Sequence, residues 1–154
     1  MKWLTRDVDM YLQAKDYVDS ILIPIMPLDF GSVIKTTASM GEYMTLLTSE
    51  IERQFKGRLF LTPPFTYLKE EDIENQKNRL LCWKNNLEQN GFKHIFILST
   101  DSVWKQYDSE LGETFLWLPS LPLENLDDQY KMKVIQDQVQ QMMTLFLEEW
   151  KKGK

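Results

Sequence analysis

Four short apolar runs, Ile21-Leu22-Ile23, Leu59-Phe60-Leu61, His94-Ile95-Phe96-Ile97-Leu98 and Thr114-Phe115-Leu116-Trp117-Leu118, alternate with stretches of helical period. A strand that is apolar throughout has to be covered on both faces, and helices between successive strands are what cover a parallel sheet. The alternation therefore predicts an α/β fold with a mostly parallel sheet of about four strands flanked by helices. In such folds ligands settle in the crevice beyond the carboxyl ends of the strands, and each run here opens into a Pro- or hydroxyl-rich segment.

The helical stretches can be placed one by one. Thr5 is positioned to cap a first helix whose Val8, Tyr11, Ala14 and Val18 share a stripe. Strand one starts near Ser20 and is expected to end near Pro24, because proline cannot donate to the ladder. A long connection, Leu28 to Ala38, leads to a helix carrying Met40, Met44, Leu47, Ile51 and Phe55, with Ser39 and Glu42 spaced as a capping box. Gly57 ends it, and strand two runs into Thr62-Pro63-Pro64-Phe65-Thr66-Tyr67. A third helix carries Ile73, Leu80, Trp83 and Leu87 on its buried stripe. Strand three ends in Ser99-Thr100-Asp101-Ser102, a short helix crosses to strand four, and a long C-terminal helix from Glu124 to Lys151 carries Ile135, Val139, Met142, Phe146 and Trp150. The expected architecture is three-layered and flavodoxin- or Rossmann-like.

At 154 residues one domain over 1–154 is expected. The hydrophobic fraction of 43% and charged fraction of 27% are those of a globular protein, and six Gly with six Pro leave little room for a disordered linker. A net charge of −5, with basic residues scattered among acids, argues against a nucleic-acid footprint. Cys82 is the single cysteine and His94 the single histidine, so a zinc site would have to be completed by carboxylates; neither metal nor cofactor is expected. Lys2, Arg6 and Asp7 interrupt the amino terminus before a signal peptide could form, and no run approaches the ~20 apolar residues that span a bilayer. A reducing, cytoplasmic setting fits these features.

The usual catalytic signatures are missing. No G-x-G-x-x-G, no P-loop, no G-x-S-x-G elbow and no paired histidines occur. His94 opens strand three at the amino end of the sheet, the wrong end for a general base, and reads as a surface or strand-edge residue. Cys82 points away from its helix's buried stripe and reads as a passive thiol. What remains at the carboxyl ends is a set of ligand-binding candidates: Asp29, Lys35, Thr36 and Thr37 after strand one, Thr66 and Tyr67 after strand two, Ser99 and Asp101 after strand three. Hydroxyls, a lysine and helix amino termini suit an anionic or sugar-like group, while capping competes as an explanation for Ser39, Glu42 and Asp101.

Several strings also carry a resemblance. Met1-Lys2-Trp3 with Asp7 and Asp9-Met10-Tyr11, Lys35-Thr36-Thr37 with Met40-Gly41-Glu42, and Glu52-Arg53-Gln54-Phe55-Lys56-Gly57-Arg58 leading into Pro63-Pro64-Phe65-Thr66-Tyr67-Leu68 are similar to the YpiF-like proteins of spore-forming Gram-positive bacteria. The resemblance implies a small, soluble, cytoplasmic protein and brings no assigned activity or catalytic residues with it.

Two readings follow. The favoured one is a non-catalytic binding or assembly module that engages a protein partner or small effector through its crevice or terminal helix, with Trp150 as the interface candidate and a homodimer as one form of the partner. The alternative is a small hydrolase or transferase acting on an anionic or sugar-containing metabolite, with Asp29 or Asp101 as acid or base and Lys35 or Tyr67 steadying charge.

Overall fold

The computed structural model of the chain describes residues 1–152. In chain order its main elements are α1 (Thr5–Gln13), β1 (Ser20–Leu28), α2 (Ile34–Gln54), β2 (Leu59–Leu61), β3 (Phe65–Leu68), α3 (Ile73–Gln89), β4 (His94–Ser99), a 3-10 turn (Ser102–Tyr107), α4 (Asp108–Leu111), β5 (Phe115–Trp117) and α5 (Asp128–Lys152). β1 is central: β4 and then β5 lie on one side of it, while β2 and β3 share the position on the other. Every pairing is parallel.

Side-chain alternation along the strands divides the core between the two faces. Ile21, Ile23 and Ile25 join Ile95 and Ile97 against Leu80 of α3 and Trp104 of the 3-10 turn, with Val8 and Tyr11 of α1 packed at the edge. On the other face Leu22, Phe96 and Leu98 meet Tyr43, Leu47 and Ile51 of α2, together with the α5 stripe from Ile135 to Trp150. This is the predicted three-layer, mostly parallel α/β arrangement with its long C-terminal helix, in which the sheet has five strands because strand two is broken in two.

The break explains the clearest correction to the sequence reading. β1 does not end near Pro24 but passes through Pro24 and Pro27 to Leu28. Backbone groups alternate sides along a strand. The carbonyls of Leu22 and Leu28 accept from the amides of Thr62 and Lys69, so the even-numbered residues of β1 face β2 and β3. Pro24 therefore faces the gap between the pairs Leu22↔Leu61 and Ile25↔Phe65, where the neighbouring strand bulges by one residue at Thr62-Pro63-Pro64. Pro27 faces the β4 side, where pairing has already stopped at Ser99 opposite Ile25. Pro24 thus sits opposite a bulge and Pro27 beyond the last pair with β4, places where a strand tolerates a residue without an N–H.

Three helix starts also differ: α1 begins at Thr5 itself, so Thr5 lies inside the helix rather than capping it. α2 begins at Ile34, so Lys35, Thr36, Thr37, Ser39 and Glu42 are all inside it and the expected capping box does not form. Asp29 takes over: its Oδ2 accepts from the amides of Gly31 at 3.1 Å and Val33 at 3.0 Å and shapes the entry to the helix. α5 starts at Asp128 rather than Glu124, with Asp127 Oδ1 accepting from the Tyr130 amide at 2.7 Å. No helix among the described residues is long and apolar enough to cross a membrane.

Candidate functional site

Alternation along β3 turns Thr66 outward into solvent and Tyr67 inward. β4 delivers Ser99, Thr100 and Asp101 to the same end of the sheet, where Asp101 opens the 3-10 turn. The Tyr67 hydroxyl donates to Asp101 Oδ2 at 2.5 Å and accepts from the Trp104 indole N–H at 3.0 Å. Lys69 Nζ lies 3.4 Å from the same carboxylate oxygen. Asp101 Oδ1 accepts from the Val103 amide at 3.3 Å, and the Asp101 amide donates to Ser99 Oγ at 3.1 Å. Burial raises the Tyr67 phenol far above its ordinary range, and the adjacent Asp101 carboxylate pushes in the same direction. Tyr67 is therefore a fixed hydrogen-bond donor, unsuited to releasing a proton. The Thr100 hydroxyl is buried beside this cluster without a hydrogen-bond partner among the described residues.

The remaining candidates do not converge on it. Asp29 is engaged by its own loop, and Lys35 is paired with Glu124 at 2.9 Å on the surface. Thr37 donates back to the carbonyls of Val33 and Ile34, while Thr36 and Thr66 are exposed. Asp29 and Thr37 do line one small hollow, about 200 Å³, with Met26, Pro27, Phe30 and Ile34. It is mainly apolar, and Phe30 stands 75% exposed at its edge. Tyr67, Ser99 and Asp101 are thus brought together, Asp29 and Thr37 share a second place, and Lys35, Thr36 and Thr66 stand apart.

A second polar cluster, at the amino ends of the strands, escaped the sequence reading. His94 opens β4 there, as its strand position indicated, but is buried rather than on the surface, with Nδ1 3.2 Å from Glu149 Oε1 and Nε2 3.9 Å from Asp19 Oδ2. Asp19 also accepts from Arg58 Nε at 3.1 Å and from Ser20 Oγ at 2.9 Å. Burial alone would push the Asp19 carboxyl up, but the bonds from Arg58 and Ser20 and the Arg58 and His94 charges outweigh it and hold the group below the usual carboxylate range. Trp150, expected at an interface, is only 6% exposed: its indole N–H donates to Ser20 Oγ at 2.7 Å and the Arg58 guanidinium lies 4.3 Å from its ring centroid. The available signal was positional, since Asp19, Arg58 and His94 each stand at the start of a strand. Cys82 is exposed, as its helical position indicated. Among the described residues, no three His, Cys, Asp or Glu side chains are grouped to hold a metal ion.

Residues 9–150 match the model of a family described as proteins of unknown function, DUF2487. The chain belongs to that family. It is 35% identical over 150 residues to the uncharacterised protein YpiF of Bacillus subtilis (strain 168), an alignment covering 97% of this chain and 98% of the relative. The resemblance carried by the amino-terminal and central strings is thereby confirmed across nearly the whole length. No solved structure matches the chain significantly.

Proposed function

We propose that this member of the family is a non-catalytic binding or assembly module of the cytoplasm, acting as a single domain over residues 1–154 that engages another protein. The observation that supports this reading most is the occupation of the acid and base candidates. Asp101 is held by Tyr67, Lys69 and Val103, Asp29 by its own loop amides, and Lys35 by Glu124. A general acid or base has to reach a substrate proton, and a nucleophile needs a base beside it. Here each of these groups is engaged within the fold instead. The enzyme reading rests on Tyr67, Asp101 and Lys69 meeting at the ligand end of the sheet, but the high proton affinity of Tyr67 works against it.

The test is a turnover screen of the full chain on nitrophenyl esters, phosphates and glycosides, run beside an Asp101→Asn variant. The module reading expects no turnover in either and a lower melting temperature in the variant. Turnover that disappears in Asp101→Asn while the melting temperature holds would establish the enzyme reading instead.

A further inference from the structure

Two exposed apolar side chains near the amino terminus, Leu4 and Met10, line a hollow of about 550 Å³ between α1 and the carboxyl half of α2. Leu46 of α2 and Met132 of α5 contribute to the same lining. Its charged residues are sorted by depth. The acids are withdrawn: Glu50 and Glu52 are buried, Glu50 held by Arg53 and Glu52 by the Met1 α-amino group at 3.1 Å, while the half-buried Asp7 accepts from the Lys2 amide at 2.7 Å. The cations face outward: Lys2, Arg6, Arg53 and Lys56 are all exposed. Among the described residues the Lys2 and Lys56 ammonium groups make no ion pair, and Arg6 reaches only Asp7, at 4.0 Å. A chain of net charge −5 thus presents a patch of exposed apolar side chains among outward-facing cations.

We infer that this hollow docks an acidic amphipathic segment of a partner protein, its apolar side chains entering between Leu4, Met10, Leu46 and Met132 and its carboxylates meeting the rim cations. The inference rests on the binding-module reading and names the surface and the partner's chemistry. Charge complementarity selects this occupant: the rim cations attract carboxylates and would repel a basic segment. Concavity favours a peptide over a flat lipid surface, because inserted side chains need a pocket to fill.

The experiment titrates the full chain with a fluorescent helical peptide carrying leucines on one face and glutamates on the other, and with the same peptide bearing lysines for glutamates. The glutamate peptide should bind, weaken as salt rises, and lose about tenfold in affinity against an Arg6→Glu, Lys56→Glu variant whose melting temperature matches the parent. The lysine peptide should not bind the parent, and the parent should not sediment with vesicles of phosphatidylcholine and phosphatidylglycerol. Equal binding of the two peptides, indifference to the charge reversals, or vesicle binding abolished by those reversals would overturn the proposal. Turnover in the screen above would refute the module reading itself, whereas an inactive chain that treats both peptides alike refutes only this surface.

Discussion

The two ends of the sheet carry buried polar clusters built on different plans. At the carboxyl end Asp101 is a single hub, linking β3, β4 and the 3-10 turn through Tyr67, Lys69 and Val103. At the amino end the bonds form a chain: Arg58 to Asp19, Ser20 to Asp19, Trp150 to Ser20, with His94 between Asp19 and Glu149. This chain joins residues as far as 130 positions apart and ties the last turns of α5 to the first residue of β1. Polarity is therefore not confined to the end of an α/β sheet where ligands are expected. At both ends it joins elements, and the outward-facing groups lie elsewhere, at Phe30 and around the rim of Lys2, Arg6 and Lys56.

The comparison is most easily broken at Trp150. If the amino-end chain anchors α5, Trp150→Ala should cost ~3–5 kcal/mol in denaturant unfolding, as large-to-small core changes do, and leave the sedimentation coefficient of the native protein unchanged. A small stability loss with altered self-association would return Trp150 to the interface role expected of it. Asp101→Ala should come next, at ~2–3 kcal/mol, because it leaves the Tyr67 hydroxyl buried without an acceptor. Were this change nearly neutral, the carboxyl-end hub would be ornamental and its residues free for other work.

Acid sharpens the contrast. The folded-state pKa of Asp19 lies below its unfolded value, so its contribution is present above roughly pH 4 and is lost as the pH falls through the folded value. Asp19→Asn should therefore lower stability at neutral pH by ~1 kcal/mol, a figure reduced by partial exposure of Arg58, and converge on the parent in acid. A constant gap at every pH would mean that the carboxylate charge is irrelevant. The smallest effect belongs to Cys82→Ala, within about 0.5 kcal/mol in the same unfolding assay, since the thiol is exposed.

The starts of β1, β2, β4 and β5, the α3 and α5 stripes and the layering were legible because they depend on local period and on which residues are apolar, whereas β3 was not read as a strand. The run of β1 through Pro24 was not, because proline is excluded only where an acceptor faces it, and that depends on a bulge at Thr62-Pro63-Pro64 in a neighbouring strand. The start of α2 was missed for a related reason: Asp29 bonds forward along its own loop, while the Ser39 and Glu42 pattern that suggested a cap falls inside the helix. Tyr67 and Asp101 stood out as ligand-binding candidates by their positions after two strands, yet their bond to one another and the bond from Trp104 are tertiary facts. His94 does open its strand at the amino end of the sheet, but its burial was not legible because Glu149, which faces it, comes from the far end of the chain.

The central claim, that the carboxyl-end polar groups hold one another rather than a substrate, is tested most directly by a double-mutant cycle of Tyr67→Phe and Asp101→Ala on unfolding free energy. Mutual engagement predicts a coupling of ~0.5–3 kcal/mol between the two positions. Strictly additive losses would show that the hydroxyl and the carboxylate do not depend on each other in the folded protein, contradicting the account.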